Sequence, residues 1–324
     1  MATLSASILC LSSFILGRMD TLDDHGHRIL QWRIGASTYR AWPEVGARLM
    51  DWKIALAGGR ARSVIHWPDS PDLAKPAKIR GGNPILFPFA ARTFDRGDLG
   101  YWRAADGVRR PMPMHGFARD GAFALDHADD TGFTAVLQPG PATREAYPYD
   151  YRFSVTYTFA ELSFWVELEL ANHGPEPLPW CAGHHFYFEL PWHDGLTRAD
   201  YTVRIPAKKA FRHAADGHLE PEKNFTEETS LGDPAIVDLI RCKLKSNLIT
   251  FGPKSDEENL KIRHGREPVP PPWAAVVTWT ENDASPFYCV EPWMGPPNSP
   301  EHKNGLHLVP PGGSEKFSVE VSLL

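Results

Sequence analysis

Cysteine is scarce in this sequence. The 324 residues hold four, Cys10, Cys181, Cys242 and Cys289, and no two stand at Cys-x-x-Cys spacing. That excludes a zinc ribbon and a dithiol redox motif of the usual kind. Four scattered thiols in a chain this long do not read as a disulfide framework, and reduced thiols in a cytoplasmic protein are expected. Long apolar runs are missing too. Residues 4–17 form an apolar stretch that is too short to cross a bilayer. No positive charge precedes it, as one would in a secretory signal, although its signal-like character keeps export open as the alternative. Met19 then opens a polar segment leading into the first strand pattern. We therefore expect residues 1–27 to be an N-terminal extension, either disordered or the product of a mis-called start, and 28–324 a single domain. Blocks of basic charge are also absent. Lys and Arg number 34 against 40 acidic residues, for a formal net charge of -6. A nucleic-acid partner would need a basic stripe, so none is expected, and neither is a membrane. No dinucleotide fingerprint and no P-loop occurs.

Helical periodicity is the last absence. Period two dominates instead. Tyr151, Phe153, Val155, Tyr157 and Phe159 alternate with polar residues, and so do Leu162, Phe164, Val166, Leu168 and Leu170. Only Ala160 and Glu161 separate the two runs, which predicts an antiparallel hairpin. "AFALDH" and "FTAVLQ" predict another, and Phe317, Val319, Val321 and Leu323 a C-terminal strand. The 30 prolines are about twice the usual share and cluster in "PLPW", "PVPPPW" and "EPWMGPPNSP". These read as rigid loops, because a helix interior tolerates proline poorly. The acidic stretch at residues 220–229 reads as a solvated loop. The fold class expected is all-β, a large antiparallel β-sandwich.

Polar groups capable of chemistry sit in four short stretches. In "HHFYFEL", alternation places His184, Phe186, Phe188 and Leu190 on one face of a strand and His185, Tyr187 and Glu189 on the other. The first set suits a core. The second suits a cleft, which nominates His185 over His184. "RGGNP" sets Arg80 before two glycines, where the backbone can turn or approach a ligand. "HGFAR" carries His115 and Arg119. "CVEPW" places Glu291 at the end of an apolar run, where a carboxylate is costly unless paired or wet. Each stretch alone is equally well a structural anchor.

Taken in order, RGGNP, HGFAR, HHFYF and CVEPW with a following GPPN resemble the aldose 1-epimerase (galactose mutarotase-like) family. "GARLMDW" and "VPPGGS" extend the resemblance from about Arg28 to the C-terminus. It implies a large antiparallel sandwich with a sugar cleft on one sheet. It implies His185 as general acid, Glu291 as general base, and His115 as a second histidine near the reacting centre. Asp238, in a weaker local motif, matches a substrate-binding aspartate. Arg80 and Arg119 resemble the arginines of the hexose-6-phosphate mutarotase (glucose-6-phosphate 1-epimerase) branch, whereas "EPWMGPPN" looks more like the general branch. The implied reaction interconverts α and β anomers. One group removes the O1 proton, another protonates the ring oxygen, the aldehyde turns about C1–C2, and the steps reverse. That reaction uses no cofactor, which agrees with the absence of a dinucleotide fingerprint and a P-loop. Glutamate and histidine have ordinary pKa values, about 4.3 and 6.5, that suit those tasks. The partner expected is a small sugar or sugar phosphate, with Trp180, Trp273 and Trp293 available to pack against it. The oligomeric state is not legible.

Three rivals remain at this stage. A metal could be held by Cys181, one of His184 and His185, and Cys289, although the spacing fits no standard site. A non-catalytic carbohydrate-binding sandwich would share the fold. A glycoside hydrolase would need a second carboxylate, for which Glu189 is the near-motif candidate. Arg80 and Arg119 could equally be structural, paired with carboxylates such as Asp120 or Asp95.

Overall fold

Alternation carries through into the architecture. The computed structural model describes residues 17–255 and 258–324. Two large antiparallel sheets account for most of it. The larger has 13 strands and runs in spatial order from Arg18–Asp24 through His27–Ile34, Ser37–Trp42, Arg48–Ala55 and Ala61–Ile65 to Phe186–Glu189. It continues through Phe287–Trp293, Ala275–Trp279, Leu239–Leu244 and Ala207–His213 to Leu219–Glu222. Two short strands, Ile85–Leu86 and Gly183–His184, pair beside this path. The second sheet has nine strands and is centred on Tyr151–Phe159, Ser163–Asn172 and Ser314–Leu323. The expected hairpin pairs Tyr151 with Asn172 and Phe159 with Phe164. Ala124–Asp129 and Gly132–Leu137 form the other one.

The sheets face each other through aromatic rings. Trp32 and Tyr39 of the larger sheet meet Phe159 of the smaller at centroid distances of 4.8 and 4.5 Å. Phe186 meets Phe164 at 5.8 Å, and Phe188 meets Phe251 at 5.5 Å. Burying each such side chain stabilises the fold by about 1.5–3 kcal/mol before ordering costs. The outer face of the larger sheet also carries apolar residues, among them Leu86, Ile240, Val277 and Trp293, with Tyr187, Phe287 and Cys289 beside them. A sheet with both faces covered leaves room for a site between its outer face and the loops that cap it.

Three expectations need correction. The stretch 220–229 is not one loop. Leu219–Glu222 and Glu228–Ser230 are edge strands of different sheets, whose polar residues suit an exposed edge. The expected extension 1–27 already contains a strand, since Arg18–Asp24 pairs along its whole length with residues 27–33. The apolar stretch 4–17 lies outside the described residues except for Gly17. Finally, residues 184–190 are not one continuous strand, because His185 interrupts the pairing between Gly183–His184 and Phe186–Glu189. No helix among the described residues is long and apolar enough to cross a membrane.

Candidate active site

The strands Phe186–Glu189 and Phe287–Trp293 run side by side, with Phe186 opposite Val290 and Tyr187 opposite Cys289. Continuing that register brings His185 beside Glu291. Their side chains meet with Nε2 and Oε1 3.5 Å apart. The two histidines part as alternation requires. His184 is fully buried and stacks on Phe186 and Phe317 in the sandwich core. His185 turns outward, stacked 4.7 Å from the Tyr187 ring with Trp279 edge-on at 5.7 Å. Asn83 joins the two faces. Its Oδ1 accepts the His185 backbone N–H at 3.1 Å, while Nδ2 donates to the Tyr157 hydroxyl and lies 3.1 Å from His184 Nδ1.

His185 and Glu291 line a cleft of about 370 Å³. Arg80, His115, Arg119 and Asp238 line it as well, so all six candidates from the sequence share one cavity. Two loops are held together to make this possible. Gly116 packs so tightly that a β-carbon there would sit 1.9 Å from the Phe87 carbonyl oxygen, at φ +71. Gly82 of the RGG motif likewise abuts the Leu49 carbonyl oxygen. The RGG glycine thus serves approach to the protein's own backbone rather than to a ligand. His115 and Asp238 themselves take positive φ values of 68° and 57°. Such backbone costs about 1–3 kcal/mol per residue and is held where its surroundings fix it.

Burial sets the charge states. It lowers the His115 pKa to about 3, helped by the neighbouring arginines Arg119, Arg92 and Arg80. The backbone N–H of Ala91 donates to His115 Nδ1 at 3.1 Å, which leaves the proton of the neutral ring on Nε2. Burial pushes His185 well below its ordinary value, with His115 and Arg80 adding to the effect. Burial pushes Glu291 well above its ordinary value, and the Asp238 carboxylate adds to that. Among the described residues, His185 Nδ1 and Glu291 Oε2 have no hydrogen-bond partner. Buried polar atoms left this way are costly, and a polar molecule in the cleft would satisfy them.

Three comparisons bear on what this cleft belongs to. The sequence model described as aldose 1-epimerase matches residues 31–320. The chain belongs to the aldose 1-epimerase family. A curated relative in Lactococcus lactis subsp. lactis, the chromosomal LacX protein, is 26% identical over 276 residues, covering 78% of this chain and 88% of its own. A galactose mutarotase-like protein from Clostridium acetobutylicum superposes with a TM-score of 0.79 at 15% identity, covering 95% of this chain and 99% of its own. A galactose mutarotase related enzyme from Lactobacillus acidophilus gives 0.73 at 19%, covering 95% and 97%. At these identities the two structures bear on the fold, and they agree with the sandwich.

Within this aldose 1-epimerase family chain, some side chains depart from the sequence reading. Arg80 pairs with Glu281 at 3.2 Å and lies over the Trp279 ring, while Asp95 is taken by Arg103 and Arg109. Arg119 has no hydrogen-bond or ion-pair partner among the described residues; Asp120 acts on it only as a nearby charge, and Asp95 is not its mate. Trp293 lines the cleft as suggested. Trp180 instead lies in the core, donating to Glu315 at 2.7 Å, and Trp273 packs beside Phe211. The aromatic that the sequence missed is Trp279, which pairs with Cys289 across the sheet. Residues 274–279 are apolar on both faces except for Thr278, so alternation there could not single it out. Arg92, Arg212 and His213 were missed as well; Arg92 comes from a loop, and Arg212 and His213 end the strand Ala207–His213. Glu189 is held 2.6 Å from His66 Nδ1 and does not line the cleft, so it is not the second carboxylate of a hydrolase pair. The metal trio suggested by the sequence also fails, because Cys181 belongs to the core.

Proposed function

We propose that this protein is a mutarotase interconverting the α and β anomers of an aldose, with His185 and Glu291 moving the protons. One observation carries the reading: a histidine and a carboxylate 3.5 Å apart, both deeply buried, facing the same cleft. Glu291 takes the O1 proton and His185 delivers one to the ring oxygen. His115, with Nε2–H as a donor, holds a sugar oxygen near the reacting carbon.

That assignment uses the pair as imidazolium and carboxylate. In the bare cleft, burial favours the other placement of the same proton, with neutral His185 and protonated Glu291. The two forms carry equal total charge, and ring opening converts the first into the second. A sugar hydroxyl donating to the unpartnered Glu291 Oε2 stabilises the carboxylate form, so substrate itself prepares the base. Each positioned proton transfer is worth roughly 10²–10⁴-fold in rate.

A sugar phosphate is the second reading. Arg119 lines the cleft with no hydrogen-bond or ion-pair partner among the described residues, and Arg80 and Arg92 line it too. Guanidinium groups so placed can fork onto a phosphate dianion. Anomer exchange followed by NMR across free aldoses and their 6-phosphates tests both readings. Acceleration of any of them supports catalysis, and the preferred member chooses between free sugar and phosphate. Binding without acceleration would leave a carbohydrate-binding protein in place of an enzyme.

A further inference from the structure

Cys289 has no part in the proposed proton transfers, yet it stands on the same face of the strand Phe287–Trp293 as Glu291, two residues away. Across the pairing it lies opposite Tyr187, so it is also a near neighbour of His185. One ligand atom from each of His185, Cys289 and Glu291 can be chosen so that all three lie within 4.8 Å of one another. All three residues are buried. We propose that these three residues form a binding site for a thiophilic divalent cation of the zinc class, and that the bound ion inhibits the enzyme.

The geometry favours a tetrahedral ion. Zinc sits about 2.0–2.1 Å from nitrogen or oxygen and about 2.3 Å from sulfur, which puts its ligands roughly 3.3–3.6 Å apart. The His185–Glu291 separation of 3.5 Å already falls there. The wider separations are at most 4.8 Å, so a bound ion would have to draw those atoms together by about 1 Å. The ligand chemistry selects the ion. A thiolate and an imidazole suit zinc, cadmium or cobalt, whereas magnesium and calcium require more oxygens than the trio offers. Binding displaces the thiol proton, and a thiolate with a carboxylate then cancels the dication's charge inside a poorly solvated cleft. Three protein ligands leave a fourth position open. A metal here occupies the lone pairs that the proposed mechanism uses to move protons, so it blocks the reaction rather than assisting it.

The inhibition rests on the mutarotase reading, but the binding does not. Cobalt(II) titration of the purified full chain reads binding directly through the thiolate-to-cobalt absorption band. We expect one equivalent to bind with that band, zinc to displace it, and magnesium to leave it unchanged. Cys289→Ala should lose the band while Cys181 and Cys242 remain, keep the anomer-exchange activity, and escape zinc inhibition. Its zinc affinity should fall by more than the ~10–100-fold typical of outer-shell changes. Should that variant fail to fold, Cys289→Ser provides the same test, and Glu291→Gln should weaken cobalt binding independently. A band that survives in Cys289→Ala, or no band in the wild type, overturns the proposal. A normal band in a protein that exchanges no anomers would sink the mutarotase reading and leave the metal site standing.

Discussion

The two faces of the larger sheet bury histidines to a similar depth and treat them oppositely. On the inner face, His184 lies between Phe186 and Phe317, and Asn83 holds its Nδ1. On the outer face, His185 meets a carboxylate at 3.5 Å, and its Nδ1 is left without a partner. Inner-face burial is spent on packing. Outer-face burial strips water from groups that then wait for one. Two adjacent residues thus show that burial alone does not separate a core from a site, while the unmet hydrogen bonds around a buried group do. The contrast has one exception, since His184 Nε2 also lacks a partner. It faces an aromatic core, however, rather than a cavity that a polar molecule can enter.

The strongest way to break the comparison is to change each face in turn. Glu291→Gln should slow anomer exchange by about 10²–10⁴-fold with the melting temperature unchanged or raised, because it removes a proton-transfer group and no packing. A variant that exchanges anomers at the wild-type rate would dissociate the outer face from catalysis. His184→Ala should do the opposite. It should cost about 2–4 kcal/mol in denaturant unfolding through lost packing, while the folded fraction keeps most of its rate.

The acid limb of stability sharpens the contrast. His115 and His184 are neutral in the folded protein, with values lowered to about 3. In the unfolded chain they take up protons below their ordinary value of about 6.5, so folding stability falls as pH drops from about 6.5 toward 3. The slope is at most about 1.4 kcal/mol per pH unit for each. Urea unfolding at a series of pH values measures it in the Glu291→Gln protein, which lacks the opposing contribution of a carboxyl whose value is raised. Loss of the slope in His184→Ala would assign that ring's share. Asn83→Leu tests the joint between the faces. It should cost about 1–3 kcal/mol by unpairing Tyr157 and the His185 backbone, and lower the exchange rate through a misplaced His185. Arg119→Gln is expected to have the smallest effect on free aldoses. Any larger loss should be confined to 6-phosphates, read as kcat/KM for each substrate.

How much of this was legible beforehand depended on the distance over which the information acts. Alternation is local, so it parted His184 from His185 and drew the hairpin at residues 151–172. The four motif stretches are local too, and they named five of the six cleft residues, Asp238 coming from a weaker motif of its own. What escaped was non-local. Arg80 pairs with Glu281, 201 residues away, and no spacing in the sequence announces that. Trp279 enters the cleft only because its strand lies beside Phe287–Trp293. His185 breaks its strand because Asn83, from a distant loop, claims the backbone N–H that a ladder would have used. The left-handed backbone at Asp238 likewise has no signature in the residues around it.

The hydrogen bond from the Ala91 backbone to His115 has a consequence for selectivity. Burial keeps the ring neutral and this bond fixes its proton on Nε2, which together turn a titratable side chain into a probe of one polarity. His115 can recognise only a lone pair. A hydroxyl or a ring oxygen offers one, but a protonated amine does not. An aminosugar presenting its ammonium group at that point would find no acceptor role to play and arginines on the same wall. On the mutarotase reading, that one position disfavours an ammonium group, which would have to turn toward Asp238 or Glu291 elsewhere in the cleft.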